Sequence, residues 1–508
     1  MLERAMVVVA AAGLSVPVAA IGGGAADGFV DESTLAHSPR LEVFPGVIEQ
    51  GEGFEIRFRA LSGDLTGAEV GIDSGGGVSW FDASLVGVEG PYEVWGASLP
   101  GVSSSSFRYY IAAEDGGDRA YVSESGVGSS FPAGDGFLVD FQTMSHVPLG
   151  STVVDDGVHF RVWAPGTAQA WVGGDFNAVG MGPNEYAFDT PMQRMGDYFY
   201  AFVPGDLTGT GYKFSFNGFS WKPDPRAAFL NENQDWESLI YERDSYTWSS
   251  DDFVAPAPES WVVYQLHVGT FAGRNDPQGF APNPSRFIDV AFRADHLEEL
   301  GVNAVYLNPM TEFPFSFSGG YNPITLFGTE TSLGTPDQFK FMVDELHKRG
   351  IAVIVDTVWN HMDSFANFKW FYDGSQIYYD NPVVDTPWGP QLDFDEPEVA
   401  DLIVESAEWM LGEFRLDGFR ADAIFEIYGA NQPVSGREIL QEINALQDRG
   451  YRDGFVVAED YSDNPWVTSS GGLNFDAQYS NNYKEAIRAA VFSAGLGDPD
   501  SQRLGDAI

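Results

Sequence analysis

Short apolar runs alternate with helical patterns through the second half of the chain, and this alternation constrains the fold more than any other feature. The runs WVVYQLH, VNAVYLN, IAVIVD, FRLDGFR and FVVAE cover residues 261–267, 302–308, 351–356, 414–420 and 455–459. Strands that alternate with helices form a parallel sheet. No glycine-rich phosphate loop follows the first run, and the connecting loops are long. The pattern therefore predicts a TIM-type β/α barrel over residues 259–508 rather than a doubly wound sheet.

One helix between these runs is marked at both ends by its sequence. Thr335 and Gln338 have the spacing of a capping box, Pro336 occupies the first helical position, and Gly350 ends the pattern. Further helices are predicted to begin at Pro397 and near Arg437.

The part of the chain before residue 250 has a different pattern, in which short alternating strands are separated by Gly and Ser clusters. FEIRFRA, FRYYIAAE and FLVDF fall in the first block, and VHFRVWAP, YFYAFVPG and YKFSFNG fall in the second. This spacing predicts two all-β sandwich domains, an immunoglobulin-like one at residues 41–145 and another at residues 150–250. The proline-rich segment 253–260 is predicted to link them to the barrel.

The chain is strongly acidic. Its 508 residues include 74 Asp and Glu but only 27 Lys and Arg, which gives a formal charge of -47. Such a charge opposes binding to nucleic acid or to an anionic membrane, so a neutral or cationic partner is expected. An acidic solvated surface also suits a salty environment, where ions screen the repulsion.

The N-terminal segment 1–26 has the pattern of a signal peptide. Arg4 precedes an apolar run, and small residues follow it. Ser15 and Pro17 make the run short for a membrane anchor. We therefore expect a secreted or periplasmic protein with no membrane association after cleavage. The sequence has no Cys, so neither a disulfide nor a Cys-ligated metal is available.

Three acidic residues follow apolar runs at predicted strand ends. They are Asp356, Asp422 and Glu459. Catalytic groups of a β/α barrel lie at the carboxyl ends of its strands, so these acids are expected to meet at one mouth. A pair of carboxyl groups is what retaining cleavage of a glycosidic bond requires. Arg420, two residues before Asp422, is expected to lie beside that carboxylate and hold it ionised.

Three segments resemble the first three signature segments of the α-amylase superfamily of glycoside hydrolases. They are VIVDTVWNH at 353–361, LDGFRADAI at 416–424 and VVAED at 456–460. By this resemblance Asp422 is the nucleophile, Glu459 is the acid/base, and Arg420 orients the nucleophile. The segments GGYNPITLFG, YQLHVGTF and TPWGPQLDFDEPEV add to the similarity.

The same resemblance implies a substrate site and a binding module. Asp356, Asn360 and His361 would shape the subsite for the distorted sugar, Tyr321 would stack on that sugar, and His267 would lie on the pocket floor. The second β domain is similar to the glucan-binding module of branching, debranching and trehalose-releasing enzymes, where Trp171 and Trp221 are candidates for glucan contact or for packing. No cofactor is required, and calcium binding near Asn360 stays open.

The sequence departs from the family pattern at the fourth signature segment, which carries a His-Asp pair. No His follows His361. The barrel is therefore expected to be incomplete at its C-terminal end.

The sequence-based hypothesis is an enzyme that acts on α-1,4-glucan through a covalent glucosyl-Asp422 intermediate. Amylase-type hydrolysis is placed ahead of a 1,4-α-glucan branching reaction. The residues after Asp422 are Ala423, Ile424 and Phe425, without the Lys-His of classic amylases, which weakens the simple amylase assignment. A non-catalytic glucan-binding protein is the alternative from a different class.

Overall fold

The computed structural model describes residues 27–177, 186–188, 190–218, 220–232, 235–272, 285–314, 318–429, 434–448 and 454–495. The predicted signal peptide at 1–26 lies outside these residues. Within the described part of the chain, no helix combines the length and the apolar character needed to cross a membrane.

The first domain is an antiparallel β-sandwich. Its strands are β1 (Val43–Phe44), β2 (Phe54–Leu61), β3 (Gly67–Asp73), β4 (Val78–Asp82), β5 (Ser84–Glu89), β6 (Tyr92–Leu99), β7 (Ser106–Asp115), β8 (Asp118–Ser123), β9 (Gly126–Gly128) and β10 (Phe137–Asp140). One sheet has the order β1-β2-β6-β5, and the other has the order β4-β3-β7-β8-β9 with β10 on β7. Phe54, Ile56, Phe58 and Ala60 alternate into the core along β2, as the period of a strand requires.

The second domain is also built from antiparallel strands. They are β11 (Gly150–Val154), β12 (Gly157–Trp163), β13 (Ala170–Gly174), β14 (Pro191–Met195), β15 (Tyr198–Pro204), β16 (Gly211–Phe216), β17 (Trp221–Lys222), β18 (Leu230–Asn231) and β19 (Glu237–Leu239). Their order is β11-β12-β15-β14-β13-β16-β19-β18, with β17 on β16. Phe160 and Phe214 belong to an apolar core that continues into the third domain, so these two domains pack as one unit.

The third domain contains a parallel sheet whose strands follow chain order. They are β20 (Val263–Leu266), β21 (Ala304–Leu307), β22 (Ala352–Thr357), β23 (Gly418–Ala421), β24 (Phe455–Ala458) and β25 (Ala477–Gln478). The helices are α1 (Val268–Phe271), α2 (Phe287–Ala291), α3 (Ala294–Glu299), α4 (Pro336–His347), α5 (Pro397–Glu413), α6 (Phe425–Tyr428), α7 (Val434–Asp448) and α8 (Asn481–Gly495). This is the β/α alternation predicted from the sequence. In the described residues of this domain the parallel sheet has six strands, and β20 and β25 lie at its two edges.

Helix α4 has the predicted ends. The Thr335 side chain accepts the Gln338 backbone N–H, and the Gln338 side chain accepts the Thr335 backbone N–H. Both bonds satisfy donors that a helix N-terminus leaves unpaired.

The fourth barrel strand begins later than predicted. The sequence pattern placed it at 414–420, whereas β23 is Gly418–Ala421. Phe414 instead caps the C-terminus of α5. Arg415 adopts a positive φ of 51° and turns its guanidinium towards Glu89 and Asp251. The predicted start of the strand was wrong because an apolar run does not reveal where the preceding helix ends.

Gly418 occupies a position in the sheet that no other residue fits. Its φ is +144°, and a Cβ there would overlap the backbone oxygen of Phe455 on the next strand. The glycine of the LDGFR motif therefore allows β23 and β24 to pair closely.

We expect Gly418→Ala to lower the free energy of unfolding by about 3 kcal/mol or more, because the new Cβ must displace a neighbouring strand. The matched control is Gly117→Ala, whose φ is +117° but whose Cβ would meet no atom within 4 Å. The control should lose about 1 kcal/mol from backbone strain alone. Urea unfolding followed by tryptophan fluorescence measures both losses, and equal losses would contradict the close strand approach.

Candidate active site

Three acidic residues meet at the carboxyl ends of β22, β23 and β24. Asp356 pairs in register with Arg420 on the neighbouring strand. The backbone N–H of Asp422 donates to the Thr357 oxygen at 2.9 Å, and that of Glu459 donates to the Ala421 oxygen at 2.9 Å. These bonds extend the parallel ladder by one step, so the predicted convergence of strand ends is present in the structure.

The Arg420 guanidinium contacts all three carboxylates. Its Nη1 lies 2.7 Å from Oδ1 of Asp356 and 2.5 Å from Oδ1 of Asp422, and its Nη2 lies 2.8 Å from Oε1 of Glu459. The Arg420 side chain is only 7% exposed. Burial alone would lower the pKa of Arg420, but the carboxylate of Asp356 and its neighbours raise it above the ordinary value. The guanidinium therefore remains charged and offsets the repulsion among the three acids, of which Asp356 and Asp422 are buried.

Asp356 is the most enclosed of the three acids. Its Oδ2 accepts the hydroxyls of Tyr306 and Tyr321, each at 2.5 Å. Burial raises the pKa of Asp356 to about 6, Arg420 opposes that shift, and Asp422 adds to it. The two tyrosine hydroxyls stabilise the ionised form and fix the orientation of the carboxylate.

Asn360 and His361 join the first signature segment to the nucleophile candidate. Nδ2 of Asn360 donates to the backbone oxygen of Asp422 at 2.7 Å and to its Oδ2 at 2.9 Å. His361 hydrogen-bonds through Nδ1 to the side-chain oxygen of Asn360, and its Nε2 lies 3.0 Å from the Tyr321 backbone oxygen. Burial lowers the pKa of His361, whereas the bond to Tyr321 raises it. Both residues therefore connect Asp422 to the segment that carries Tyr321.

His267 lies near this site but contacts none of the three acids in the described structure. Its Nδ1 is 3.0 Å from the Thr270 hydroxyl, and its Nε2 is 3.1 Å from the Ser318 backbone oxygen. Ser318 belongs to the same loop as Tyr321. His267 thus supports that loop, and its predicted place on the pocket floor stays a prediction.

Several residues around the acids were not predicted from the sequence. Tyr306 binds Asp356, Tyr461 donates its hydroxyl to Oε1 of Glu459 at 2.6 Å, and the Ala423 backbone N–H donates to Oε2 at 2.8 Å. The Tyr479 ring lies 5.5 Å from the Arg420 guanidinium carbon. Tyr461 had a usable signal, because residues two apart on an extended chain face the same side.

The residues around Asn360 do not fit a calcium site. Its side-chain oxygen faces His361 and its amide binds Asp422. Across the described part of the chain, no group of three or more His, Asp and Glu side chains is arranged to hold a metal ion.

The arrangement can support covalent catalysis by two carboxyl groups. Asp422 and Glu459 bind adjacent nitrogens of one guanidinium, which keeps them close together. In retaining glycosidases the two groups lie about 5 to 5.5 Å apart, whereas inverting enzymes need room for a water molecule between them. Because Asp422 and Glu459 share one guanidinium, the shorter carboxyl separation of a retaining enzyme is favoured.

Two sequence families match parts of the chain. The α-amylase catalytic domain matches residues 289–385, and carbohydrate-binding module 48, the isoamylase N-terminal domain, matches residues 148–227. The first match contains Asp356, Asn360, His361 and Tyr321. The second covers most of the second β domain.

Two of the proteins that are similar over most of this chain are named as a trehalohydrolase and a glucan branching enzyme. The malto-oligosyltrehalose trehalohydrolase of Saccharolobus solfataricus is 30% identical over 367 residues, which are 71% of this chain and 60% of the relative. The 1,4-alpha-glucan branching enzyme GlgB of Picrophilus torridus is 29% identical over 381 residues, 70% of this chain and 51% of the relative. The chain thus spans about half to three fifths of the length of these relatives.

Solved structures share the fold. A Salmonella typhimurium protein assigned to the α-amylases has a TM-score of 0.56 and 27% identity, with coverage of 67% of this chain and 55% of its own. A pullulanase from Anoxybacillus sp. LM18-11 has a TM-score of 0.56 at 15% identity, with coverage of 90% and 70%. This second likeness concerns the fold alone.

We expect Arg420→Met to destabilise the protein in a pH-dependent way. Without the guanidinium, the buried acids must ionise unpaired, which should cost about 3 kcal/mol near pH 8. The deficit should shrink towards about pH 5, because Asp356, whose pKa burial raises to about 6, then becomes protonated and loses little by the missing cation. Urea unfolding of wild type and variant at both pH values measures the difference.

The matched control for this variant is Arg488→Met, whose side chain is 69% exposed on α8. This control should show almost no loss at either pH. A loss in Arg420→Met that does not change with pH would contradict the account of three acids held by one cation.

Proposed function

We propose that the chain belongs to the α-amylase superfamily of glycoside hydrolases and cleaves α-1,4 bonds of glucans with retention of anomeric configuration. The observation that carries this proposal is the Arg420 guanidinium that binds Asp422 and Glu459 at one mouth. Support also comes from the relatives, whose names describe a trehalohydrolase and α-glucan branching enzymes.

In the proposed first step, Asp422 attacks the anomeric carbon and Glu459 protonates the departing glycosidic oxygen. The bond between that carbon and oxygen breaks as the glucosyl ester of Asp422 forms. In the second step Glu459, now ionised, takes a proton from the acceptor hydroxyl, which attacks the same carbon and releases Asp422. Arg420 orients Asp422 for attack, because it donates directly to Oδ1.

The remaining residues are proposed to bind the sugar that is attacked. Asp356, His361 and Tyr321 are joined by hydrogen bonds through Tyr321, whose hydroxyl binds Asp356 and whose backbone oxygen faces His361. A rigid wall of this kind can hold a distorted sugar ring. Asn360 would keep Asp422 oriented through its two bonds to that residue.

The reaction type depends on which molecule accepts the glucosyl unit from Asp422. Water gives an amylase-type or trehalose-releasing hydrolase, and a glucan hydroxyl gives a branching enzyme. We place hydrolysis first, consistent with the proposed export to a secreted or periplasmic, salty environment. Branching is the second candidate, because several of the similar proteins are branching enzymes.

The described residues of the third domain form six parallel strands, where the family's barrel has eight, and the chain matches only part of the length of its relatives. A fourth signature segment would supply the further aspartate that grips the substrate hydroxyls. Activity should therefore be tested on the complete gene product as well as on the 508-residue chain.

We expect Asp422→Asn to lower kcat on soluble starch by about 10⁴-fold or more, because the nucleophile is lost. Glu459→Gln should lose a similar factor on starch but much less on an α-glucosyl fluoride, whose leaving group needs no proton.

The assay counts reducing ends and new α-1,6 linkages, which separate hydrolysis from branching. Glu426→Gln, a half-buried acid on α6, is the control and should stay within about twofold of wild type.

If Asp422→Asn keeps its activity, the assignment of the nucleophile is wrong. If the complete wild-type product binds starch but neither cleaves nor transfers it, the chain is a glucan-binding protein, which is the alternative from a different class.

The second domain is proposed to bind glucan through an aromatic surface. The Phe188 ring stacks on Trp221 with centroids 4.9 Å apart, and Trp171 meets Phe188 edge-on at 5.6 Å. Phe188 is 47% exposed. Exposed rings of this kind offer flat apolar faces to sugar rings.

We expect Trp221→Ala to weaken binding to insoluble starch by about tenfold while activity on a short soluble maltooligosaccharide stays near wild type. Trp80→Ala, a partly exposed tryptophan of the first domain, is the matched control and should bind starch normally. Sedimentation with starch granules measures both. Equal binding by the two variants would assign Trp221 to packing.

A further inference from the structure

Tyr461 follows the acid/base candidate by two residues and contacts it directly. The Tyr461 hydroxyl donates to Oε1 of Glu459 at 2.6 Å. The Tyr461 side chain is also 45% exposed, so it borders the open side of the site rather than the core. Tyr461 has no role in the double displacement proposed above.

The backbone around Tyr461 is fixed by the residue between the two partners. Asp460 is 1% exposed, its Oδ1 accepts the Ser462 backbone N–H at 2.7 Å, and its Oδ2 accepts the Tyr428 hydroxyl. Asp460 therefore points into the protein while Glu459 and Tyr461 both face the site, as alternate residues of an extended segment do. The backbone conformation around Asp460 therefore places the side chains of Glu459 and Tyr461 in contact.

The hydrogen bonds to Glu459 divide unequally between its two oxygens. Oε1 accepts from Arg420 at 2.8 Å and from Tyr461 at 2.6 Å, which uses both of its lone pairs. Oε2 accepts from the Ala423 backbone N–H at 2.8 Å and keeps one lone pair. A proton on Oε1 would have to displace a donor, whereas a proton on Oε2 displaces none.

We propose that Tyr461 is a positioning residue that keeps the acid proton of Glu459 on Oε2, and so aims it at the leaving glycosidic oxygen. This inference rests on the proposed function. In the step itself the proton moves from Oε2 to the glycosidic oxygen as the bond to the anomeric carbon breaks. Oε1 holds its bonds to Arg420 and Tyr461 throughout, and these bonds stabilise the carboxylate that the step leaves behind.

The groups around the pair set the sign of the expected pH effect. The charged or titratable neighbours are Arg420 with its other acids Asp356 and Asp422, the Tyr479 ring 6.2 Å from that of Tyr461, and Lys484 Nζ 5.4 Å from the Tyr461 ring. Tyr461→Phe removes a neutral donor and leaves these charges in place. Loss of a donor to the ionised form disfavours that form, so the acid should keep its proton to a higher pH.

The experiment compares wild type and Tyr461→Phe, made in the complete gene product, on two substrates. On an α-glucan, we expect kcat to fall about tenfold, because one hydrogen bond to a charged group is lost. The alkaline limb of the pH profile should move up by about half a unit to one unit. On maltotriosyl fluoride, whose leaving group needs no proton, kcat should stay within about twofold of wild type.

The matched control is Tyr483→Phe, which removes a hydroxyl from a half-buried tyrosine of α8 near Lys484. It should leave both rates and the pH profile unchanged. Equal losses of Tyr461→Phe on both substrates with an unmoved alkaline limb would overturn the proposal and leave Tyr461 a structural role. Unchanged rates on both substrates would also overturn it.

A second measurement does not depend on activity. In the 508-residue chain with ¹³C-labelled glutamate carboxyls, the resonance that disappears in Glu459→Gln belongs to Glu459. Its titration midpoint should lie higher in Tyr461→Phe than in wild type, and identical midpoints would overturn the role of Tyr461. If wild type is inactive on both substrates but the midpoint still moves, the proposed function fails while the hydrogen bond stands.

Discussion

The structure of the site depends on one buried guanidinium shared by three carboxylates. Asp356, Asp422 and Glu459 follow three neighbouring strands, and three carboxylates so close together would repel one another without a counterion. Arg420 contacts all three within 2.8 Å while it is 7% exposed. The same contacts orient Asp422 and Glu459, the proposed nucleophile and acid, so one interaction stabilises the strand ends and would also prepare the proposed chemistry.

The rest of the fold keeps these strand ends in line. Gly418 permits β23 to lie close to β24, and the ladder continues through Asp422 and Glu459. The second β domain packs against the third, because the Arg226 guanidinium binds Glu405 of α5 at 2.6 Å. Lys222 also donates to the backbone oxygen of Trp370, in the loop after β22. Side-chain contacts and a shared apolar core therefore fix the second β domain to the third.

Much of this arrangement could be predicted from the sequence, because strand ends and periodicity are local signals. The convergence of Asp356, Asp422 and Glu459 was predicted because each acid closes or closely follows an apolar run. The late start of β23 could not be predicted, since Arg415 turns away through a contact with the first domain. Tyr306 was missed for a similar reason: a single tyrosine gives no local sign that its hydroxyl meets a carboxylate from a different strand.

The most direct test of the central claim is to trap the glycosyl-enzyme. A fluorinated α-glucosyl fluoride that forms the covalent intermediate quickly and releases it slowly would be incubated with the complete gene product, which is then digested and mapped by mass spectrometry. The account predicts one glucosyl label, on the peptide that contains Asp422 and on that side chain. A label on another residue, or turnover with no label at all, would contradict covalent catalysis by Asp422.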